Sequence, residues 1–398
     1  MSQSFLNGLE VLIANPAIAK SWGRCGLLCN QASTTKDFLH SSDAILKVLN
    51  KQLVCFFGPQ HGIFGTVQDN MIETEHQIDP SSGLPIYSLY SETREPTEKM
   101  MREIDTLIFD VQIVGCRVYT FKWTLAACLR AAKKYKKNVV VLDRPNPLGG
   151  ELLEGAVLNM KLKSFVGEAP IPMRHGLTVG EFASYINDTI GADLKIVEMQ
   201  GWNPRLYYGD LQRPWVMTSP NLPTLDAVYV YPGMVIFEGT NLSEGRGTTL
   251  PFQLIGAPYL KNGSHYKEHI LSKFNAEGVY LRPVEFMPTF HKWKGEVCHG
   301  IQLHIIDQTK ICSYKLALAM VRAAIDIGGD AFTWKQPPYE YDLVNLPIKL
   351  IFGIENVDQI IKANTFDVSD ACWIKGIKEY KDSVLKNIRY ERDMRYEI

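Results

Sequence analysis

The densest polar stretch of the chain, FEGTNLSEGRGTT at Phe237–Thr249, sets Glu238, Asn241, Ser243, Glu244 and Arg246 among three glycines. Its two carboxylates could supply an acid or a base, and its arginine a bidentate clamp for a substrate anion. The competing reading is a loop stapled by its own Glu–Arg pairs, and composition weighs the two evenly. A second polar loop, GPQHGIFG at Gly58–Gly65, follows the apolar run Leu53–Phe57. Its glycines do not fall at the positions of G-x-G-x-x-G and no G-K-[ST] follows, so no phosphate cradle and no nucleotide cofactor are expected there. They suit a tight turn that needs positive φ. His61, in a glycine-rich loop at the carboxyl end of a strand, is better placed than a core histidine to meet a ligand.

Other loops carry further candidates. LDRPNP at Leu142–Pro147 presents Asp143, Arg144 and Asn146 on a backbone fixed by two prolines, where an Asp143–Arg144 pair reads as structural. In RHGLTVGE at Arg174–Glu181, Thr178 and Glu181 have the spacing of a capping box. Arg174 and His175 precede that cap, which leaves them for a ligand. SPNLP at Ser219–Pro223 is a rigid loop holding Asn221, and Trp202, Trp215, Tyr229 and Tyr231 offer flat faces that stack on sugars or, more often, fill a core. Cys25 and Cys29 lie inside a strand pattern with no second ligand pair nearby, so no metal is expected. Most of the eight cysteines sit in apolar runs and read as buried thiols.

These loops need a scaffold, and the spacing of apolar runs supplies one. Strands are predicted at Cys25–Cys29, Leu53–Phe57, Leu84–Leu89, Thr106–Val111, Val139–Leu142 and Leu194–Met199. Helices are predicted at 44–50, 96–103, 121–136 and 179–190. The lysines of KKYKK close the third of these as a solvated basic end, where the helix dipole favours cations. Alternation of this kind predicts an α/β fold with a Rossmann-like, doubly wound, mostly parallel sheet. Functional residues then gather beyond the strands' carboxyl ends, which is where GPQHG, DVQIVG with Asp110, and DRPNP fall. From Gly201 to Pro258 periodicity lapses into a loop-rich stretch of a length that is uncommon without function. It resumes with helices at 265–275, 314–327 and 374–387 and strands at 279–286 and 300–306. The expected division is a Rossmann-like domain over 1–255 and a smaller α+β domain over 256–398 that closes a cleft.

The chain has 398 residues, 46% of them hydrophobic, enough for a sizeable core in two domains or more. Forty-two Lys and Arg against 43 Asp and Glu leave a formal charge of -1, so no global field recruits nucleic acid or an anionic membrane. No segment approaches the roughly 18 uninterrupted apolar residues of a membrane span. The first residues lack a basic segment followed by an unbroken apolar one, and a cytoplasmic protein is expected.

The motif series FGPQHGIFG, LPIYSLY, FDVQIVGCRVYT, VLDRPNPLGG, PIPMRHGLTVGE, SPNLPT, YPGMVIFEGTNLSEGRGTT and FMPTFHKWKGEVCHGIQLHI resembles that of the bacterial exo-β-N-acetylmuramidases of peptidoglycan turnover. The resemblance runs in order from about Cys25 to Ile306 and more weakly beyond. It implies a Rossmann-like domain joined to a smaller one, an active site between them, no cofactor, and hydrolysis of terminal N-acetylmuramic acid from a peptidoglycan-derived disaccharide or muropeptide. It also places the family's favoured catalytic glutamate at Gln60. An amide does not exchange a proton near neutral pH, so the acid must come from elsewhere or hydrolysis is lost and a muropeptide-binding protein is left. Glu73 and Glu244 are the first candidates for relocation and Glu238 the next, whereas Glu75 reads as a solvated charge. The substrate's own 2-acetamido oxygen can act as nucleophile, oriented by Asp110 or Asn221. Arg246, Arg174 or Arg144 would meet the lactyl carboxylate, and His61 a sugar hydroxyl or the reacting oxygen. Gln60, Asn146, His175 and Asn241 complete the expected binding set.

Overall fold

The computed structural model describes residues 5–65 and 75–396; the candidate acid Glu73 therefore lies outside the described residues. The first half begins with α1 (Gly8–Ala14), β1 (Cys25–Cys29), α2 (Ser41–Leu49), β2 (Leu53–Gly58), β3 (Gln77–Ile78) and β4 (Pro85–Ser88). It continues through α3 (Glu98–Arg102), β5 (Thr106–Asp110), α4 (Phe121–Tyr135), β6 (Asn138–Leu142), β7 (Leu152–Leu153), α5 (Val179–Ile190) and β8 (Asp193–Val197). Seven of these strands form one sheet in the order β3-β4-β2-β1-β5-β6-β8, parallel throughout except for the short β3. With β3 set aside, the strands run third, second, first, fourth, fifth, sixth, the doubly wound order in which a crevice opens where the winding reverses, here between β1 and β5. Every residue of β1 and β5 is buried, because helices cover both faces of a parallel sheet and its strands become continuous apolar runs.

Helix termini follow local chemistry. Thr178 and Glu181 form the expected capping box at the start of α5, with Thr178 Oγ1 accepting from Glu181 N at 3.2 Å and Glu181 Oε2 accepting from Thr178 N at 3.0 Å. Lys133 and Lys134 are exposed in the last turn of α4, and Lys136 caps it in the left-handed conformation.

The second half holds α6 (Leu225–Met234), β9 (Leu254–Ala257), α7 (Gly263–Leu271), β10 (Val279–Phe286), β11 (Cys298–Ile305) and α8 (Ser313–Gly328). It ends with α9 (Pro347–Phe352), α10 (Val357–Lys362), α11 (Ile377–Val384) and β12 (Arg395–Tyr396). An antiparallel sheet in the order β10-β11-β9 forms its centre, and β12 returns to pair with β7 in the first half. Two elements lie inside the stretch read as loop. Helix α6, LDAVYVYPGM, is buried on nearly every side and contains Pro232, so it shows no amphipathic period. It packs so closely on α8 that a Cβ at Gly233 would stand 1.8 Å from Ser313 O. Strand β9 crosses the expected 255/256 division and belongs to the second sheet.

Cys25, Cys29, Cys55, Cys116, Cys128 and Cys298 are buried, and burial pushes the thiols of Cys25, Cys55 and Cys298 up to about 12. A thiolate is the reactive form. In a thiol-reagent titration these six side chains should stay silent in the native protein and react together on unfolding. Among the described residues no helix is long and apolar enough to cross a membrane.

Candidate active site

A pocket opens between the two halves. The loop after β2 brings Gln60 and His61 to it, the turn leading into α4 brings Tyr119 and Thr120, and the loop before α6 brings Ser219 and Asn221. From the other side come Tyr231 of α6, Glu238, Arg246 and Phe252, together with Tyr339 and Glu340 from the segment between α8 and α9. Three non-glycine residues of this wall hold left-handed backbone: His61 at φ 69°, Phe252 at 62° and Glu340 at 42°. Side chains rarely adopt that conformation, and such strain gathers at functional sites.

Among the described residues two carboxyl groups line the pocket, in different surroundings. Glu238 Oε1 pairs with Arg246 Nη1 at 2.7 Å, and its Oε2 accepts the Tyr339 hydroxyl at 2.7 Å. Glu340 is buried, and that burial, with the charge of Glu238 beside it, pushes its carboxyl up to about 7. Its Oε2 accepts the Tyr90 hydroxyl at 3.5 Å. Gln60 completes a chain: Thr120 Oγ1 donates to Gln60 Oε1 at 2.6 Å, and Gln60 Nε2 donates to the Tyr90 oxygen at 3.1 Å. Of the four aromatic candidates Tyr231 alone lines the pocket, edge-on to Tyr119 and Phe252, while Trp202 packs on Tyr390, Trp215 on Tyr208 and Tyr229 on Tyr207.

The structure thus gathers Gln60, His61, Asn221, Glu238 and Arg246 from widely separated loops. Other candidates fall elsewhere, each for a stated reason. Glu244 is fully buried behind Arg246. Against the cost of that burial, the Lys292 ammonium at 2.7 Å, the His291 ring at 3.3 Å and Arg246 at 3.1 Å hold its carboxyl well below the ordinary range, so it has no proton to give. Asp110 receives both Nε and Nη2 of Arg144, at 2.6 and 2.9 Å, beneath the sheet's carboxyl edge. The expected Asp143–Arg144 side-chain pair gives way to this one. Asp143 instead accepts from Arg144 N, Gly180 N, Thr178 Oγ1 and the Tyr390 hydroxyl.

Arg174, expected to be left for a ligand, is buried against Glu154 at 2.7 Å and the Tyr207 hydroxyl at 3.0 Å. His175 is fully enclosed beside Phe182, and burial with nearby Lys122 and Arg117 keeps its ring well below the usual histidine range. Asn146 fastens its own loop through Leu148 N and Leu177 O. Asn241 bonds Ala331 O and the Tyr259 hydroxyl, facing a neighbouring groove with Trp293. Glu75 is exposed. Sequence reasoning missed Tyr90, Thr120, Tyr339 and Glu340. PPYEY at 337–341, a proline-fixed aromatic and acidic run between helical patterns, is the one signal that could have drawn attention to the last two.

A doubly wound sheet joined to a smaller antiparallel sheet places Glu238 and Glu340 in one pocket, and paired carboxyls are what glycoside hydrolysis uses. The particular family follows from comparison. The family model described as exo-β-N-acetylmuramidase NamZ, N-terminal, matches residues 25–226, and its C-terminal counterpart matches residues 229–390. The chain belongs to this family. It is 40% identical over 327 residues to the peptidoglycan β-N-acetylmuramidase NamZ of Bacillus subtilis (strain 168), covering 82% of this chain and 78% of that protein. Crystal structures of two DUF1343 family proteins of Bacteroides fragilis share the fold. One has a TM-score of 0.85 at 28% identity, with 97% of this chain and 99% of that one covered. The other has a TM-score of 0.75 at 27% identity, with 98% and 100% covered.

Proposed function

We propose that this protein is an exo-acting glycoside hydrolase that removes terminal, β-linked N-acetylmuramic acid from peptidoglycan fragments. The observation that carries the reading is the pocket: walled by both halves, and holding a carboxylate fixed by Arg246 and Tyr339. A pocket rather than a through-going groove suits one terminal sugar.

In this reading the Glu238 carboxylate accepts the N–H of the sugar's acetamide. That bond strengthens as the acetamide carbonyl oxygen closes on the anomeric carbon and the ring so formed becomes cationic, which lowers the barrier rather than the energy of the bound substrate. Asn221 and His61 hold sugar hydroxyls from the opposite wall. Arg246 is the one of the three candidate arginines that reaches the pocket, and it faces the lactyl carboxylate, a group that needs a cation once water is excluded. Buried thiols such as Cys29, Cys116 and Cys128 fit a reducing compartment, and an imported disaccharide is then the substrate.

Two measurements address this. Purified protein should release free N-acetylmuramic acid from the N-acetylmuramic acid–N-acetylglucosamine disaccharide; binding of the sugar without release would favour the rival reading, a muropeptide-binding protein that lost its acid at residue 60. Arg246→Lys keeps the charge but not the planar fork. It should lower kcat/KM about 10- to 100-fold on an aryl muramide, as expected where a charged hydrogen bond worth about 1.5–3 kcal/mol is lost. The matching glucosaminide, which lacks the lactyl group, should lose less. Equal losses on both sugars would remove the lactyl contact.

A further inference from the structure

The proton that the leaving sugar needs has no source at residue 60; of the candidates within the described residues, Glu244 is held deprotonated beside Lys292 and Arg246, and both oxygens of Glu238 are engaged by Arg246 and Tyr339. Among the described residues, one other carboxyl lines the pocket. Resting on the muramidase reading, we propose that Glu340 is the general acid and base of the reaction, and that Gln60 serves as its positioning residue through Tyr90.

The geometry supports both parts. Glu340 stands on the pocket wall opposite the β2 loop, in left-handed backbone that directs its side chain into the pocket beside Glu238. The hydrogen-bond chain has one sense. The Thr120 hydroxyl donates to the Gln60 carbonyl, the Gln60 amide donates to the Tyr90 oxygen, and the Tyr90 hydroxyl, its lone pair so engaged, donates to Glu340. A glutamate at residue 60 would present an acceptor to Tyr90 and compete with Glu340 for the phenolic proton. The amide thus fixes the direction of a phenol that steadies the Glu340 carboxylate once its proton has left. A carboxyl that burial lets hold a proton near neutrality, beside a second one bound by Arg246 and Tyr339, forms a pairing of the kind acid–base catalysis uses. Packing holds the relay in place: Tyr90 lies against Phe165 and Tyr341, and the Arg94 guanidinium covers both tyrosines.

The step balances. Glu340 gives its proton to the glycosidic oxygen as the bond from that oxygen to the anomeric carbon breaks, and the bonding pair stays with the leaving sugar. The acetamide carbonyl oxygen bonds to the anomeric carbon, forming a cationic oxazoline. Water then adds to that carbon as its bond to the acetamide oxygen breaks, the bonding pair returning to that oxygen to restore the neutral acetamide, and the water loses one proton to the Glu340 carboxylate. The products are free N-acetylmuramic acid and the shortened fragment, and Glu340 is again protonated.

The test compares Glu340→Gln and Tyr90→Phe with the parent protein on two substrates. One is the disaccharide, whose leaving oxygen needs a proton; the other is a dinitrophenyl muramide, whose leaving group does not. Glu340→Gln should lower kcat/KM, which reports the bond-breaking step alone, about 100- to 10,000-fold on the disaccharide, the span of a lost general acid, and far less on the activated muramide, whose phenol leaves unaided. In the parent protein kcat/KM on the disaccharide should fall as pH rises through about 7, because the acid must be protonated. That limb should vanish in Glu340→Gln and move to higher pH in Tyr90→Phe, which loses a hydrogen bond to the carboxylate. A Glu340→Gln protein equally impaired on both substrates, or one that keeps the alkaline limb, would overturn the assignment while the muramidase reading stood. A parent protein inactive on both substrates would overturn that reading and the inference with it. Should Glu340→Gln fail to fold, the shift of the limb in Tyr90→Phe still decides.

Discussion

Replacing Glu238 by Gln should lower kcat about 100- to 10,000-fold, the range expected for loss of a positioned charge in the transition state. The loss should be similar on every leaving group. That uniformity separates Glu238 from Glu340. A carboxylate that steadies the cationic acetamide acts on the bond made to the anomeric carbon, and every substrate makes that bond; a proton donor acts on the leaving oxygen, and an activated phenol dispenses with it. The present partners of Glu238 make the substitution informative. Arg246 also pairs with Glu244, and the Tyr339 hydroxyl can donate to the new amide carbonyl, so the fold has little reason to open. Steady-state kinetics on the disaccharide and the dinitrophenyl muramide measure the effect directly. A large loss on the first with none on the second would give Glu238 the role assigned here to Glu340.

The second large effect is on stability. Asp110→Ala should destabilise the protein by about 3–5 kcal/mol, the cost of leaving one member of a buried ion pair without its partner. Arg144 would keep its charge in an interior where Asp110 now takes both Nε and Nη2, and among the described residues the Thr34 carbonyl would be the acceptor left to its guanidinium. Denaturant unfolding reads the loss as a lower midpoint with little change in slope. Because Asp110 stands beneath the pocket rather than on its wall, kcat of the folded fraction should stay within a few-fold of the parent. A collapse of kcat with the midpoint unchanged would return Asp110 to the substrate-orienting role that its place at the end of β5 suggests in the sequence.

The contrast between these residues shows what a sequence carries. Strands β1, β2, β5 and β6 were legible because a parallel strand covered on both faces is an unbroken apolar run, and β10 matches its expected limits of Val279 and Phe286. The α5 cap was legible because both of its partners lie within four residues of each other. Helix α6 was not, since Val228, Tyr229, Val230 and Tyr231 are all buried and give no polar face to set the period. Arg174 and His175 were read as ligand groups because they precede the α5 cap; Glu154, twenty residues upstream, satisfies Arg174, and a position in the fold rather than a motif encloses His175. Glu340 escaped notice for the same reason in reverse. Its partner Tyr90 meets it only after the second half folds back on the first.

The most direct test of the account uses water enriched in heavy oxygen. The parent protein, incubated in it with the N-acetylmuramic acid–N-acetylglucosamine disaccharide, should yield free N-acetylmuramic acid carrying one heavy oxygen at its anomeric carbon and N-acetylglucosamine carrying none, and mass spectrometry reads both. Binding of the disaccharide with no free N-acetylmuramic acid at any pH where the protein stays folded would contradict hydrolysis in this pocket.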